Sequence, residues 1–99
     1  MTRSDDIQAA HGLSLDEAVK VLMFNHQGAQ WIEGVDSYHL QDAMDNYTER
    51  IANLPTSTVR KFVEHIRTDY WAKPDEEVSK ANFEARWLKG KRILRESKP

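Results

Sequence analysis

Four histidines, at positions 11, 26, 39 and 65, are the residues of this 99-residue chain best suited to acid–base or metal chemistry. A metal centre in a helical bundle needs a Glu-x-x-His pair on each of two helices, and the chain has none. Asp36-x-x-His39 comes nearest, but it straddles a linker and a helix start, so no metal is expected. His26 falls on an apolar helical stripe, where a histidine held by one hydrogen bond at the edge of a core is the expected state. An enzyme would use His26 or His65, yet Ser4, Ser14, Ser37 and Ser57 all have capping roles. No Gly-x-Ser-x-Gly turn exposes a nucleophile. Glycines scattered at 12, 28, 34 and 90 make no phosphate loop. The carboxylate pairs Asp5-Asp6 and Glu76-Glu77 stand in first helical turns, where the helix dipole accounts for them. The absence of cysteine removes thiolate metal sites, disulfides and a cysteine nucleophile together. The expectation is a protein that is not an enzyme and carries no cofactor.

The element around which the rest must be arranged is the stretch from Thr56 to Trp71. Val59, Phe62, Val63, Ile66 and Tyr70 recur at three- and four-residue spacing and so share one helical face. Thr56 or Ser57 is placed to cap its start, and Pro74 marks its stop. Arg60, Lys61, Glu64, His65 and Arg67 form the opposite, solvated face. From Asn53, the run Asn-Leu-Pro-Thr-Ser-Thr-Val-Arg-Lys-Phe resembles the turn and second helix of a helix-turn-helix DNA reader. Leu54, Val59 and Phe62 fill its apolar places, and Asn53 stands where the turn usually has glycine. The resemblance covers about ten residues. Upstream the chain departs from the pattern, with Glu49 where a small residue is usual and Thr48 where an apolar one is usual. The resemblance implies residues 57–67 in a major groove, with Ser57 and Thr58 opening the helix and Arg60 and Lys61 reading. Lys89, Lys91, Arg92 and Arg95 would then lie on phosphates.

Other helices are expected on either side. Ser4 to Gly12 reads as a short leading helix, ended by its glycine. Ser14-Leu-Asp-Glu17 is a capping box that opens the next one. Leu15, Ala18, Val19, Leu22, Met23 and His26 make its expected core stripe, with room for a bend or break near residues 27–29 and a stop at Gly34. Asp36 or Ser37 is placed to cap a third helix whose apolar face is Leu40, Ala43, Met44, Tyr47, Ile51 and Leu54. The short Asn53–Thr56 connection predicts a hairpin between the third helix and the central one. A last helix is expected from Pro74, with one stripe of Val78, Ala81, Ala85 and Leu88 and an offset one of Phe83, Trp87 and Leu94. Gly90 is expected to interrupt it. Two stripes on one helix imply deep burial or a second, partner-facing side. No strand pattern or internal repeat is present. The fold expected is all-α, a compact single-domain bundle of four principal helices with a short leading one, frayed at 1–3 and 96–99.

Composition sets the remaining bounds. The mean hydropathy is −0.73, and no apolar run approaches the ~18 residues of a membrane span. The first residues have no apolar stretch behind them, so no secretory signal is expected and the location expected is cytoplasmic. Charge is divided: residues 1–55 carry −6 and residues 56–99 carry +4, for a net −2. Such a split favours association with a charged partner or with a second copy of the chain. Nine aromatic residues are a surplus for one small core, and surplus tryptophans anchor interfaces. The function expected is regulation by protein–protein association, as an inhibitor, adaptor or assembly factor, with a homodimer allowed. Its surface would combine Asp42, Asp45 and Glu49 with exposed Trp31 and Trp87. DNA binding is the alternative.

Overall fold

A computed structural model of the chain describes residues 3–68 and 80–96. Five helices follow one another: α1 (Arg3–His11), α2 (Leu15–Trp31), α3 (Leu40–Ala52), α4 (Thr56–Ile66) and α5 (Lys80–Glu96). Among the described residues there is no strand. The chain is therefore all-α, a bundle preceded by a short helix, as its periodicity predicts. The expected extension of the central helix through Tyr70 to Trp71, and the start of the last helix at Pro74 with Val78, lie outside the described residues.

The helix ends show how local chemistry sets the boundaries. Glu17 donates its amide to Ser14 Oγ at 3.1 Å, and the Ser14 amide donates to Glu17 Oε1 at 3.0 Å. This reciprocal box satisfies two amides that a helix start otherwise leaves orphaned. Gly12 and Gly34 adopt left-handed φ values of 64° and 68°, a region that costs glycine nothing, and so end α1 and turn the chain after α2.

Three other starts differ from expectation, the first being α1, which begins at Arg3 and so takes Ser4 inside the helix and not as its cap. Asp36 Oδ1 accepts from the His39 amide at 3.0 Å, closing a turn ahead of α3 without capping the helix itself. Thr56 is the first residue of α4, and its hydroxyl meets the His11 ring at 3.0 Å in place of a backbone amide. His11 is buried, and its Nε2–H donates to the Ile51 carbonyl at 2.6 Å. In the neutral ring, Nδ1 then accepts from the Thr56 hydroxyl. One imidazole thus ties together the ends of α1 and α3 and the beginning of α4.

α1, α2 and α3 pack on one another, α4 packs on α5, and α2 touches all four of the others. The hairpin expected of α3 and α4 does not form, since these two helices hardly meet. Their apolar stripes have different destinations. Val59, Phe62, Val63 and Ile66 of α4 are buried as predicted, and the core cluster they join includes Phe24, Phe83 and Trp87. His65, assigned to the solvated face, is also buried, with Nε2 donating to the Arg86 carbonyl of α5 at 2.9 Å.

The largest correction concerns α2. Its buried face is Ala18, Val21, Phe24, Asn25, Gly28 and Ala29. Of the stripe predicted for the core, Ala18 is buried and Leu22 half-buried, whereas Leu15, Val19, Met23 and His26 face out. Two glycines explain the choice. A Cβ added to Gly28 would lie 2.5 Å from Cε2 and Cε3 of Trp87, so the indole rests directly on the α2 backbone. A Cβ added to Gly90 of α5 would lie 3.0 Å from the Phe62 ring and 3.2 Å from the Phe24 ring. Each helix therefore offers a glycine notch to an aromatic ring of the other, and neither glycine breaks its helix. Phe24 sits at the middle, with ring centroids 5.8 Å from Phe62, 5.1 Å from Phe83 and 5.4 Å from Trp87.

Candidate interaction surfaces

Turning Ala18 and Phe24 inward obliges α2 to turn other residues outward. Leu15 is 59% exposed, Val19 38% and Met23 48%, spaced by four residues along one side of the helix. These are three of the five large apolar side chains that stand exposed among the described residues. His26 and Gln30 continue the same side toward the C-terminus. Between this face, Ser4 of α1 and Met44 of α3 lies a groove of about 570 Å³, and half-buried Leu22 and Trp31 contribute to its wall.

A second groove, of about 650 Å³, separates α1 from α3. Its floor is small, with Ala9, Ala10 and Ala52, and its rim is acidic, with Asp5, Asp6, Asp45 and Glu49. The third helix therefore supplies an acidic side as the sequence predicts, joined by α1. Asp42 is exposed on α3 but does not line the groove.

A polar cluster joins three elements that the sequence did not connect. Glu33, just beyond α2, accepts from the Tyr47 hydroxyl of α3 on one carboxylate oxygen and from the Lys91 ammonium of α5 on the other. Lys91 also stands 5.7 Å above the Trp87 ring, a cation–π distance. The Trp87 indole N–H faces the same carboxylate closely enough to favour its charged form, without a hydrogen bond of ordinary geometry.

Partial burial pushes the Glu33 carboxyl up, but the hydrogen bonds from Lys91 and Tyr47 and the Lys91 charge outweigh it and hold its pKa below 4.5. Burial first, and then the Glu33 bond and charge, push the Tyr47 phenol above its ordinary range, so it remains a donor. A carboxylate with a lowered folded pKa stabilises the fold above its unfolded pKa and loses that contribution as pH falls through the folded value. Replacing Glu33 with Gln is expected to lower the melting temperature at pH 7, with the deficit shrinking as pH falls through the folded pKa of the carboxyl. Thermal melts of both proteins across that range check it. A deficit that is constant with pH would remove the ion pair as its cause.

The remaining predicted site residues are scattered by the fold. Trp87 is 1% exposed and belongs to the core, so it is not an interface anchor. Trp31 is half-buried against Phe83, at 5.9 Å between ring centroids. In the proposed recognition helix, Ser57 and Lys61 are exposed, but Thr58 is buried. Arg60 is exposed but engaged within the chain: it donates to the Gly12 carbonyl at 3.2 Å and pairs with Glu17 at 3.6 Å, bracing the α1–α2 junction. Lys89, Arg92 and Arg95 are exposed on α5. Arg95 and Lys91 share a small concavity of about 200 Å³ with Arg50 of α3.

Sequence reasoning placed Leu15, Val19 and Met23 in the core. A signal to the contrary was present. A bulky apolar side chain of that helix, Phe24, lies opposite them, beside the small Ala18, Gly28 and Ala29 that permit close helix contact. Among the described residues, no group of three or more histidine, cysteine or carboxylate side chains is gathered as a metal site would require. None of the described helices is long and apolar enough to cross a membrane. No protein-family model, no curated protein and no solved structure matches this chain.

Proposed function

We propose that this protein acts by binding another polypeptide through the outer face of α2, as a regulator, inhibitor or assembly factor, and not by catalysis. The observation that carries this reading is the row of Leu15, Val19 and Met23, exposed on a helix whose opposite face is core. Single exposed apolar residues are ordinary on protein surfaces, but an aligned row of them beside a groove is what interaction sites present. The occupant that fits is a helix with an apolar face, laid in the groove by residues at three- and four-residue spacing. The acidic rim of Asp45 and Glu49 would steer a basic partner toward the molecule, a contribution to association rate that salt screens. A chain without cysteine suits a reducing compartment, and the cytoplasm is the location we assign to this association.

Met23→Lys tests the reading, since it puts a charge in the middle of the row without touching the core. Retention of protein partners on immobilised wild type, and loss of about tenfold or more on the variant, is the expected result, because central apolar contacts dominate such interfaces. An unchanged set and amount of bound partner would sink it. The DNA-binding alternative draws support from Arg50, Arg95 and Lys91 sharing one concavity. It loses Thr58 to the core and Arg60 to the α1–α2 junction. Duplex binding that weakens steeply with added salt would move it ahead.

A further inference from the structure

We infer that the outer face of α2 is covered by the same face of a second copy of this chain, the two α2 helices running antiparallel. The inference rests on the reading of that face as an interaction site and names its occupant. It is carried by the order of chemistry along the helix. Asp16 stands exposed at the N-terminal end, Val19 and Met23 occupy the middle, and His26 and Gln30 stand exposed at the C-terminal end. The carboxylate is an acceptor, while the imidazole and the amide both offer N–H donors.

A two-fold axis through the middle of the row makes the face complementary to itself. Val19 and Met23 of one copy then meet Met23 and Val19 of the other. Asp16 of each copy comes opposite the His26–Gln30 end of the other, twice by symmetry. A parallel arrangement would instead set Asp16 against Asp16 and align the two helix dipoles, both unfavourable. Antiparallel pairing sets the positive end of one dipole beside the negative end of the other. No side chain in the middle of the row carries a charge, and Lys20, by its helical position, lies at the edge of the face.

The size of the face sets the strength. α2 has 17 residues and is about 26 Å long, as long as the shortest dimension of the molecule, 26 Å. Covering the usual tenth of the 6081 Å² monomer surface on each copy would bury about 1,200 Å² in all, the lower end for specific interfaces. The dimer is accordingly expected to dissociate at micromolar concentrations and not to be permanent.

Sedimentation equilibrium from about 1 to 500 μM spans that range. The expected result for wild type is a mass rising from 11.5 kDa to twice that value. Met23→Lys should move the midpoint at least about tenfold upward, with an unchanged circular dichroism spectrum as the folding control. Orientation has its own test. His26→Glu should weaken the dimer by setting two carboxylates against each other, since the pairing of Val19 with Met23 brings Asp16 opposite His26. Adding Asp16→Lys to it should restore or strengthen the dimer, which only the antiparallel arrangement predicts. A wild-type mass of 11.5 kDa at every concentration overturns the inference, and so does a dimer indifferent to Met23→Lys. A dimer sensitive to Met23→Lys but not rescued by the charge pair overturns the antiparallel arrangement. If the chain stays monomeric and yet a different protein is bound in a Met23-dependent way, the inference fails while the association reading stands.

Discussion

Gly28→Ala is expected to cost this protein about 2–3 kcal/mol of stability, although alanine is the better helix former by about 1 kcal/mol. The intrinsic preference loses because there is no room. The added methyl would fall 2.5 Å from two atoms of the Trp87 indole, well inside any normal carbon contact. The indole cannot simply swing away, since it is held by Phe24 at 5.4 Å on one side and by Tyr47 at 5.6 Å on another. The backbone of α2 or α5 must shift instead. Removing the indole outright would cost about 3–5 kcal/mol, so partial loss of its contacts, offset by the helical gain, leads to the stated figure. A fall in melting temperature of roughly 10–20 °C follows for a domain of this size. A variant as stable as wild type would show that the two helices do not meet at this notch. Combining Gly28→Ala with Trp87→Leu should cost less than the two single changes added together, because the smaller side chain relieves the overlap.

Phe24→Ala and Leu15→Ala, two apolar truncations nine positions apart on one helix, should differ by about 3–4 kcal/mol. Phe24 is fully buried in the middle of four aromatic partners, Phe62, His65, Phe83 and Trp87, so its loss leaves a cavity that rigid rings cannot close. About 4 kcal/mol is a large part of the 5–15 kcal/mol that holds a domain of this kind together. Leu15 makes no such contribution, and its truncation should register within about 0.5 kcal/mol. Urea denaturation of the two variants measures the contrast. Equal losses would mean that the row read here as outward-facing is part of the core, and both the association surface and the dimer would go with it.

The contrast marks where the sequence was legible. Helix existence was readable throughout: α2 to α5 repeat apolar residues at a spacing that only a helix brings to one side, and α1 was marked by its acidic first turn and its terminal Gly12. The Ser14–Glu17 box and the glycines at 12 and 34 were readable too, since capping and left-handed backbone are properties of three or four neighbouring residues. For α4, one apolar stripe left one possible inner face, and Val59, Phe62, Val63 and Ile66 are where that stripe requires.

α2 and α5 were ambiguous for the same reason in opposite guise. Each carries two apolar stripes, and periodicity assigns both to a helix face without saying which face the neighbours cover. On α5 the offset stripe of Phe83, Trp87 and Leu94 went inward and left Ala81, Ala85 and Leu88 outside. That choice is made between helices: Gly28 opens a notch for Trp87, and Gly90 opens one for the rings of Phe24 and Phe62. A notch has meaning only when the partner ring is present, and the rings lie far from the glycines along the chain, Trp87 some sixty positions from Gly28.

By itself, then, the sequence determined an all-α chain of separate amphipathic helices with divided charge, because these properties arise among residues a few positions apart. Only the tertiary structure decided that Trp87 is core while Leu15, Val19 and Met23 are surface, and that Glu33, Tyr47 and Lys91 form one cluster. The fit of a ring against a backbone, and of a carboxylate between a phenol and an ammonium, depends on contacts between distant segments that no local spacing records.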